Sequence, residues 1–165
     1  FSNNVMARQL FLTLGAATAG EPATAAKSVA AVKTWLAGKR LDFPELALEN
    51  GSGLSRIERV SARHLGELLV AAYASPVMPE FMASLPIIAL DGTMKSRLKE
   101  SPAAGRGHIK TGLLDGVKTL AGYVLDSRGK RVVVVCLVNH PKAVQTQAAM
   151  DALLQCVFEA KGAPE

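Results

Sequence analysis

The stretch His108-Ile109-Lys110-Thr111-Gly112-Leu113-Leu114 is where helical spacing gives way to strand spacing, and the rest of the chain is read outward from it. Two further runs, Leu120 to Leu125 and Arg131 to Val138, have strand character and are joined by a turn at Asp126-Ser127-Arg128-Gly129. Three neighbouring antiparallel strands are therefore expected. The run Val132-Val133-Val134-Val135 is apolar on both faces, which predicts helices on both sides of that strand. Val144 to Ala160 supplies one of them, since Val144, Ala148, Leu153, Val157 and Phe158 fall near a helical repeat.

Upstream of residue 107 the pattern is helical with loops. Val5, Met6, Leu10, Phe11 and Leu14 predict a helix over Asn4 to Leu14, stopped by Gly15. A loop containing Pro22 follows, then a helix from Ala26 to Leu36 that closes at Gly38. Glu49-Asn50-Gly51-Ser52-Gly53 predicts a tight irregular turn. Ser61 caps a helix carrying Leu65, Leu68, Leu69 and Ala72 on one face. Pro76, Pro79 and Pro86 divide the next stretch into short pieces, and Asp91-Gly92 marks a turn. The whole of 1–165 is expected to belong to one domain, mainly helical over 1–106, with three strands and a C-terminal helix over 107–165.

With 165 residues, 49% of them apolar, the chain can bury one sizeable core. Its net charge of +5 is spread along the sequence, and aromatics make up only 5%. A stacking platform for single-stranded nucleic acid needs aromatics interleaved with basic groups, so nucleic acid is not an expected partner. Cys136 and Cys156 form no metal-type pair and read as buried free thiols. No metal or other cofactor is expected.

Three features carry chemistry. Lys110 projects a cation from one face of an edge strand, Thr111 adds a hydroxyl, and Gly112 leaves space for a peptide-like substrate alongside. Acyl transfer by a serine hydrolase needs such substrate-fixing groups together with a nucleophile, a base and amides aimed at the developing oxyanion. The motif set S-x-x-K, S-D-N and K-T-G belongs to penicillin-binding proteins and class A β-lactamases. This chain shows Ser2-Asn3-Asn4 as a variant of the second and Lys110-Thr111-Gly112 as the third, in that order.

The likeness extends to Glu49-Asn50-Gly51-Ser52-Gly53-Leu54-Ser55-Arg56, to Leu90-Asp91-Gly92-Thr93, and to His108 through Gly116 continuing into Leu120-Ala121-Gly122-Tyr123. On these segments the chain resembles the C-terminal part of the D-alanyl-D-alanine carboxypeptidases of the class C low-molecular-mass penicillin-binding proteins, peptidase family S13. The resemblance implies an α/β (α+β) fold of the penicillin-binding-protein and β-lactamase type, an antiparallel sheet flanked by helices. It implies serine-type carboxypeptidase action, with endopeptidase action as a further possibility, on peptidoglycan stem peptides ending in D-Ala-D-Ala, outside the cytoplasmic membrane. β-Lactam antibiotics are the implied inhibitors.

The resemblance also assigns roles. Ser2 would relay protons towards the leaving amine and Asn4 would hold the substrate amide carbonyl. Lys110 would bias the proton network and attract the terminal carboxylate, which Thr111 would bond. The Leu113 amide would be one of two oxyanion donors. The amino-terminal turn and the Lys110 strand are expected to flank one groove. The family places Thr or Ser where Leu113 stands, so one contact to the substrate carboxylate is lost. The nucleophile motif is expected upstream of residue 1, which would leave residues 1–165 inert alone and the edge of the Arg131 strand open to that missing part or to self-association. A β-lactamase on the same scaffold and a non-catalytic peptidoglycan- or partner-binding remnant stay as alternatives.

Other matches are set aside. Ser96-Arg97-Leu98-Lys99 lies in a charged stretch and Ser127-Arg128-Gly129-Lys130 in a hairpin turn, whereas a nucleophile motif precedes Ser2 and opens a buried helix. Gly105 to Thr111 lacks the glycine before the lysine that a phosphate-binding loop requires. His108 reads as an ordinary exposed strand histidine, and His64 and His140 lack a ligand pattern.

Overall fold

The computed structural model describes residues 2–160, which form two compact units, Ser2–Leu68 and the residues from Leu69 onward. In the first, helix α1 (Asn4–Ala19) begins where the extended residue Asn3 accepts, through Oδ1, the Met6 amide at 3.0 Å. That bond satisfies one of the orphan first-turn donors. The helix does not stop at Gly15. It continues to Ala19, and Gly20 takes the left-handed turn with φ 75°. Gly15 is buried, and a Cβ there would run into Oγ and the backbone nitrogen of Ser28 on helix α2 (Ala25–Gly38). Glycine at this position permits close helix approach rather than termination.

Of the apolar stripe that marks α1 in the sequence, Val5, Met6, Leu10 and Leu14 are exposed and Phe11 is half-buried. Helix α2 is capped by Thr24 and ends at Gly38, and the left-handed residue beyond it is Arg40, φ 58°. Ala47 and Arg59 pair through two backbone bonds that close an irregular loop. Ser61 caps helix α3 (Ala62–Tyr73) as expected, its Oγ accepting the His64 amide at 3.1 Å.

The second unit contains the last turn of α3, the short helix α4 (Met78–Ala83) and the sheet. Strands β1 (Gly107–Leu114), β2 (Val117–Leu125) and β3 (Arg131–Asn139) are antiparallel in the order β1-β2-β3. All three expected strands are present, but β2 starts at Val117 rather than Leu120. Asp115 and Gly116, the latter at φ 70°, make the two-residue turn between Leu114 and its partner Val117. At the other end of β2 the buried Asp126 carboxylate accepts the Arg128 and Lys130 amides at 2.9 and 2.7 Å.

Side-chain alternation gives the sheet two apolar faces. Ile109, Leu120, Val124 and Val134 pack with Met150 and Leu154 of helix α5 (Gln147–Glu159). Tyr123, Val133 and Val135 pack against Leu69 of α3 and Met82 of α4, and the Tyr123 hydroxyl donates to the Leu69 carbonyl at 2.7 Å. The valine run is thus covered on both sides, as its composition predicts. The thiols depart from expectation: Cys136 is half-buried and Cys156 is exposed on α5. Among the described residues no helix is long and apolar enough to cross a membrane.

Candidate active site

The segment before β1 builds the strand's outer edge. Ile88 donates its amide to the Gly107 carbonyl at 2.9 Å, and Ile109 donates to the Pro86 carbonyl at 2.7 Å. Gly107 and Ile109 therefore turn their backbone groups away from β2, and the two-residue period aims the amides of Thr111 and Leu113 to the same outer side. Pro86–Ile88 ends alongside Ile109, so Thr111 and Leu113 lie beyond it. Ala89, at φ 66°, turns the segment away from the strand, and its amide is held by the Met94 carbonyl at 3.1 Å. A non-glycine residue in this region is strained and persists only where its surroundings fix it.

Side chains alternate along the same strand. His108, Lys110 and Gly112 stand opposite Tyr123, Ala121 and Thr119 and share their face. The Lys110 ammonium donates to the Thr111 carbonyl at 2.6 Å, and burial pushes its pKa below the usual lysine range. A Cβ at Gly112 would meet Oγ1 of Thr119, so a side chain there would require the Thr119 hydroxyl to move. The Thr111 hydroxyl donates to Oγ1 of Thr93 at 2.7 Å. Thr93 belongs to a short 3₁₀ turn, Gly92–Met94, and stands in the sequence only within the matching segment Leu90-Asp91-Gly92-Thr93. Its pairing with Thr111 has no sequence signal beyond that. Leu113 has its side chain 64% exposed.

In the first unit Ser2 is exposed just ahead of the α1 cap. Because Asn3 makes the cap, Asn4 is free of that duty, and its Nδ2 donates to the Ser52 carbonyl at 2.6 Å. The loop that receives it is pinned from within. One Glu58 oxygen accepts the amides of Glu49, Asn50 and Gly51 at 3.2–3.3 Å, and Asn50 Oδ1 accepts both the amide and the hydroxyl of Ser52. Gly51 and Gly53 take left-handed φ values of 67° and 76°, and a Cβ on Gly51 would strike Phe11 of α1. The matching segment 49–56 is thus a rigid seat for Asn4, and Glu58, which composition alone does not single out, fastens it.

One histidine departs from the sequence reading and another gains a partner the sequence does not reveal. His64 Nδ1 lies 2.7 and 2.8 Å from the two Glu45 oxygens and its ring stacks on Phe43 at 4.8 Å. Hydrogen bonds from Ser61 and His64 hold Glu45 down to about 2 against the opposing effect of desolvation. His108 is half-buried rather than exposed, and its Nδ1 is enclosed. The two stray S-x-x-K matches behave as expected: Ser96 and Ser127 are both exposed outside the regular elements.

Comparison with known proteins matches these features to one group. A D-alanyl-D-alanine carboxypeptidase of Actinomadura sp. (strain R39) is 34% identical over 159 residues, covering 91% of this chain and 29% of that protein. Carboxypeptidase DacB of Mycolicibacterium smegmatis is 34% identical over 158 residues, 92% of this chain and 34% of its own length. The chain therefore spans about a third or less of the curated relatives it matches. Penicillin-binding protein 4 of Haemophilus influenzae, solved with a β-lactam, superposes with a TM-score of 0.81 at 28% identity, over 93% of this chain and 39% of that one. The antiparallel sheet flanked by helices is thus that of the penicillin-binding proteins. The family model for D-Ala-D-Ala carboxypeptidase 3 (S13) matches residues 1–157, and the chain belongs to that family.

Proposed function

We propose that the protein carrying this chain is a serine-type D-Ala-D-Ala carboxypeptidase that acts on peptidoglycan stem peptides and is acylated by β-lactams outside the cytoplasmic membrane. The observation that carries this reading is the outer edge of β1, where the Thr111 and Leu113 amides face outward past the end of Pro86–Ile88. An extended peptide can add to such an edge by main-chain bonds.

A serine of an S-x-x-K motif outside residues 1–165 attacks the carbonyl carbon of the penultimate D-Ala. As the C–O bond forms, the carbonyl oxygen becomes an oxyanion and accepts the Leu113 amide. Collapse breaks the peptide C–N bond, and the terminal D-Ala leaves with a proton relayed through Ser2. Water then hydrolyses the ester and restores the serine hydroxyl. Lys110 attracts the terminal carboxylate, the bonded Thr111 and Thr93 hydroxyls leave one O–H to donate to it, and Asn4 holds the substrate amide carbonyl. Ser2 and Asn4 act in the same reaction as Lys110 and Thr111.

Incubation of the protein with labelled penicillin tests the reading. A stable covalent adduct on a serine outside residues 1–165 is expected. Silence from well-folded protein contradicts it, and steady turnover of a chromogenic cephalosporin without an adduct favours a β-lactamase.

A further inference from the structure

On the face of the sheet that packs on α4, the proposed acyl transfer uses Lys110 but leaves His108 and Arg131 unused. A cleft of about 510 Å³ opens there, with Tyr73, Met78, Pro79 and Met82 as its apolar and aromatic walls and with His108 and Arg131 also in its lining. A smaller hollow of about 220 Å³ shares Tyr73 and Arg131 and reaches Tyr123. The larger volume falls in the range of small-molecule sites, which combine apolar walls with a few placed polar groups.

The polar atoms lack the partners their chemistry calls for. Among the described residues the hydrogen bond of the Arg131 guanidinium runs from Nη1 to the Met82 sulfur at 2.9 Å. A thioether is a weak acceptor, whereas a guanidinium offers five N–H donors in a planar fork suited to carboxylates. Among the described residues no Asp or Glu lines either hollow. Tyr123 has already committed its hydroxyl to the Leu69 carbonyl. His108 Nδ1 is buried with no hydrogen-bond partner among the described residues, although buried polar atoms are almost always paired. Strand register puts the two groups on one face: His108 stands opposite Tyr123, Tyr123 opposite Val133, and Arg131 lies two residues from Val133.

We propose that this cleft binds a small organic carboxylate. Its oxygens take the Arg131 fork, and its aromatic or aliphatic body lies against Tyr73, Met78 and Pro79 beside the His108 ring. The site is separate from the outer edge of β1, and the inference does not depend on the acyl-transfer reading.

Benzoate, with benzamide as its neutral counterpart, is the probe, titrated into the intact protein by calorimetry with the His108 imidazole followed by NMR. Saturable benzoate binding that moves the His108 resonances is expected, with benzamide weaker by about tenfold or more, the scale of a charge-assisted pair. Arg131→Gln should weaken benzoate to the level of benzamide, and Arg131→Lys, which keeps charge but loses the fork, should fall between. Lys110→Ala should leave benzoate binding as it was. Equal binding of the two probes, no saturable binding, or a benzoate response that leaves His108 unmoved overturns the proposal. The comparison of probes on the unmodified protein needs no variant, so a folding defect at Arg131 does not shield the proposal.

Discussion

Leu113 separates what the backbone does from what the side chain does. Its amide keeps the outward direction that strand geometry imposes, so the oxyanion role proposed for it does not depend on the side chain, while the hydroxyl expected there is missing. Because the side chain is 64% exposed, Leu113→Thr should fold normally. Restoring a hydrogen bond to the substrate carboxylate, worth about 1.5–3 kcal/mol, should raise acylation efficiency by penicillin roughly ten- to hundredfold in a rapid-mixing assay. Glu45 makes a prediction about acid. The unfolded carboxyl binds its proton at the ordinary value of 4.5 and the folded one only at about 2, so between those values the unfolded chain holds more protons. The contribution of Glu45 to stability is therefore full above about 4.5 and is lost as the pH falls towards about 2. Urea midpoints measured across that window should decline, and Glu45→Gln should flatten the decline. Asp126, held below the usual range chiefly by the Lys130 amide, adds a slope of the same sign.

At the scale of elements, two glycines of one helical pair have opposite meanings. Gly15→Ala forces a Cβ into Ser28 and should cost about 1–3 kcal/mol, seen as a lower thermal midpoint. Gly38 has nothing within 4 Å of a built Cβ, and Gly38→Ala should instead stabilise by about 0.4–1 kcal/mol. The same contrast explains what the sequence could and could not disclose. Strands β1 to β3 were legible because their apolar residues alternate or run unbroken, and the turn at Asp126 because its side chain and Gly129 specify it locally. Gly15 was misread as a stop because a glycine letter does not distinguish a left-handed terminus from a close helix contact. The start of β2 was placed late because Lys118 and Thr119 dilute its apolar run, although Asp115-Gly116 carried the hairpin signal. Exposure of Cys156 and of the α1 stripe is decided by what packs against a helix, which spacing along it does not reveal. In the candidate site Lys110, Thr111 and Gly112 were legible as a motif, whereas Thr93, Glu58 and the half-buried His108 depend on tertiary pairing.

For the molecule as a whole, β3 has β2 as its one strand neighbour among the described residues, and its other edge offers unpaired backbone groups. We expect residues 1–165 expressed alone to associate through that edge, giving concentration-dependent elution in size-exclusion chromatography, and to form no penicillin adduct. A monomer at all concentrations, or an adduct on any of Ser2, Ser96 or Ser127, would refute those expectations. The central claim is that Ser2-Asn3-Asn4 and Lys110-Thr111-Gly112 serve one acyl transfer. Its most direct test is the acylation rate constant of the intact protein with a fluorescent penicillin, for Asn4→Ala, Lys110→Ala and the two combined. Each single change should slow acylation by at least about tenfold, near 1.4 kcal/mol of barrier, and the double variant should lose less than the product of the two because they act on one transition state. Acylation at the unmodified rate in either single variant would contradict the account.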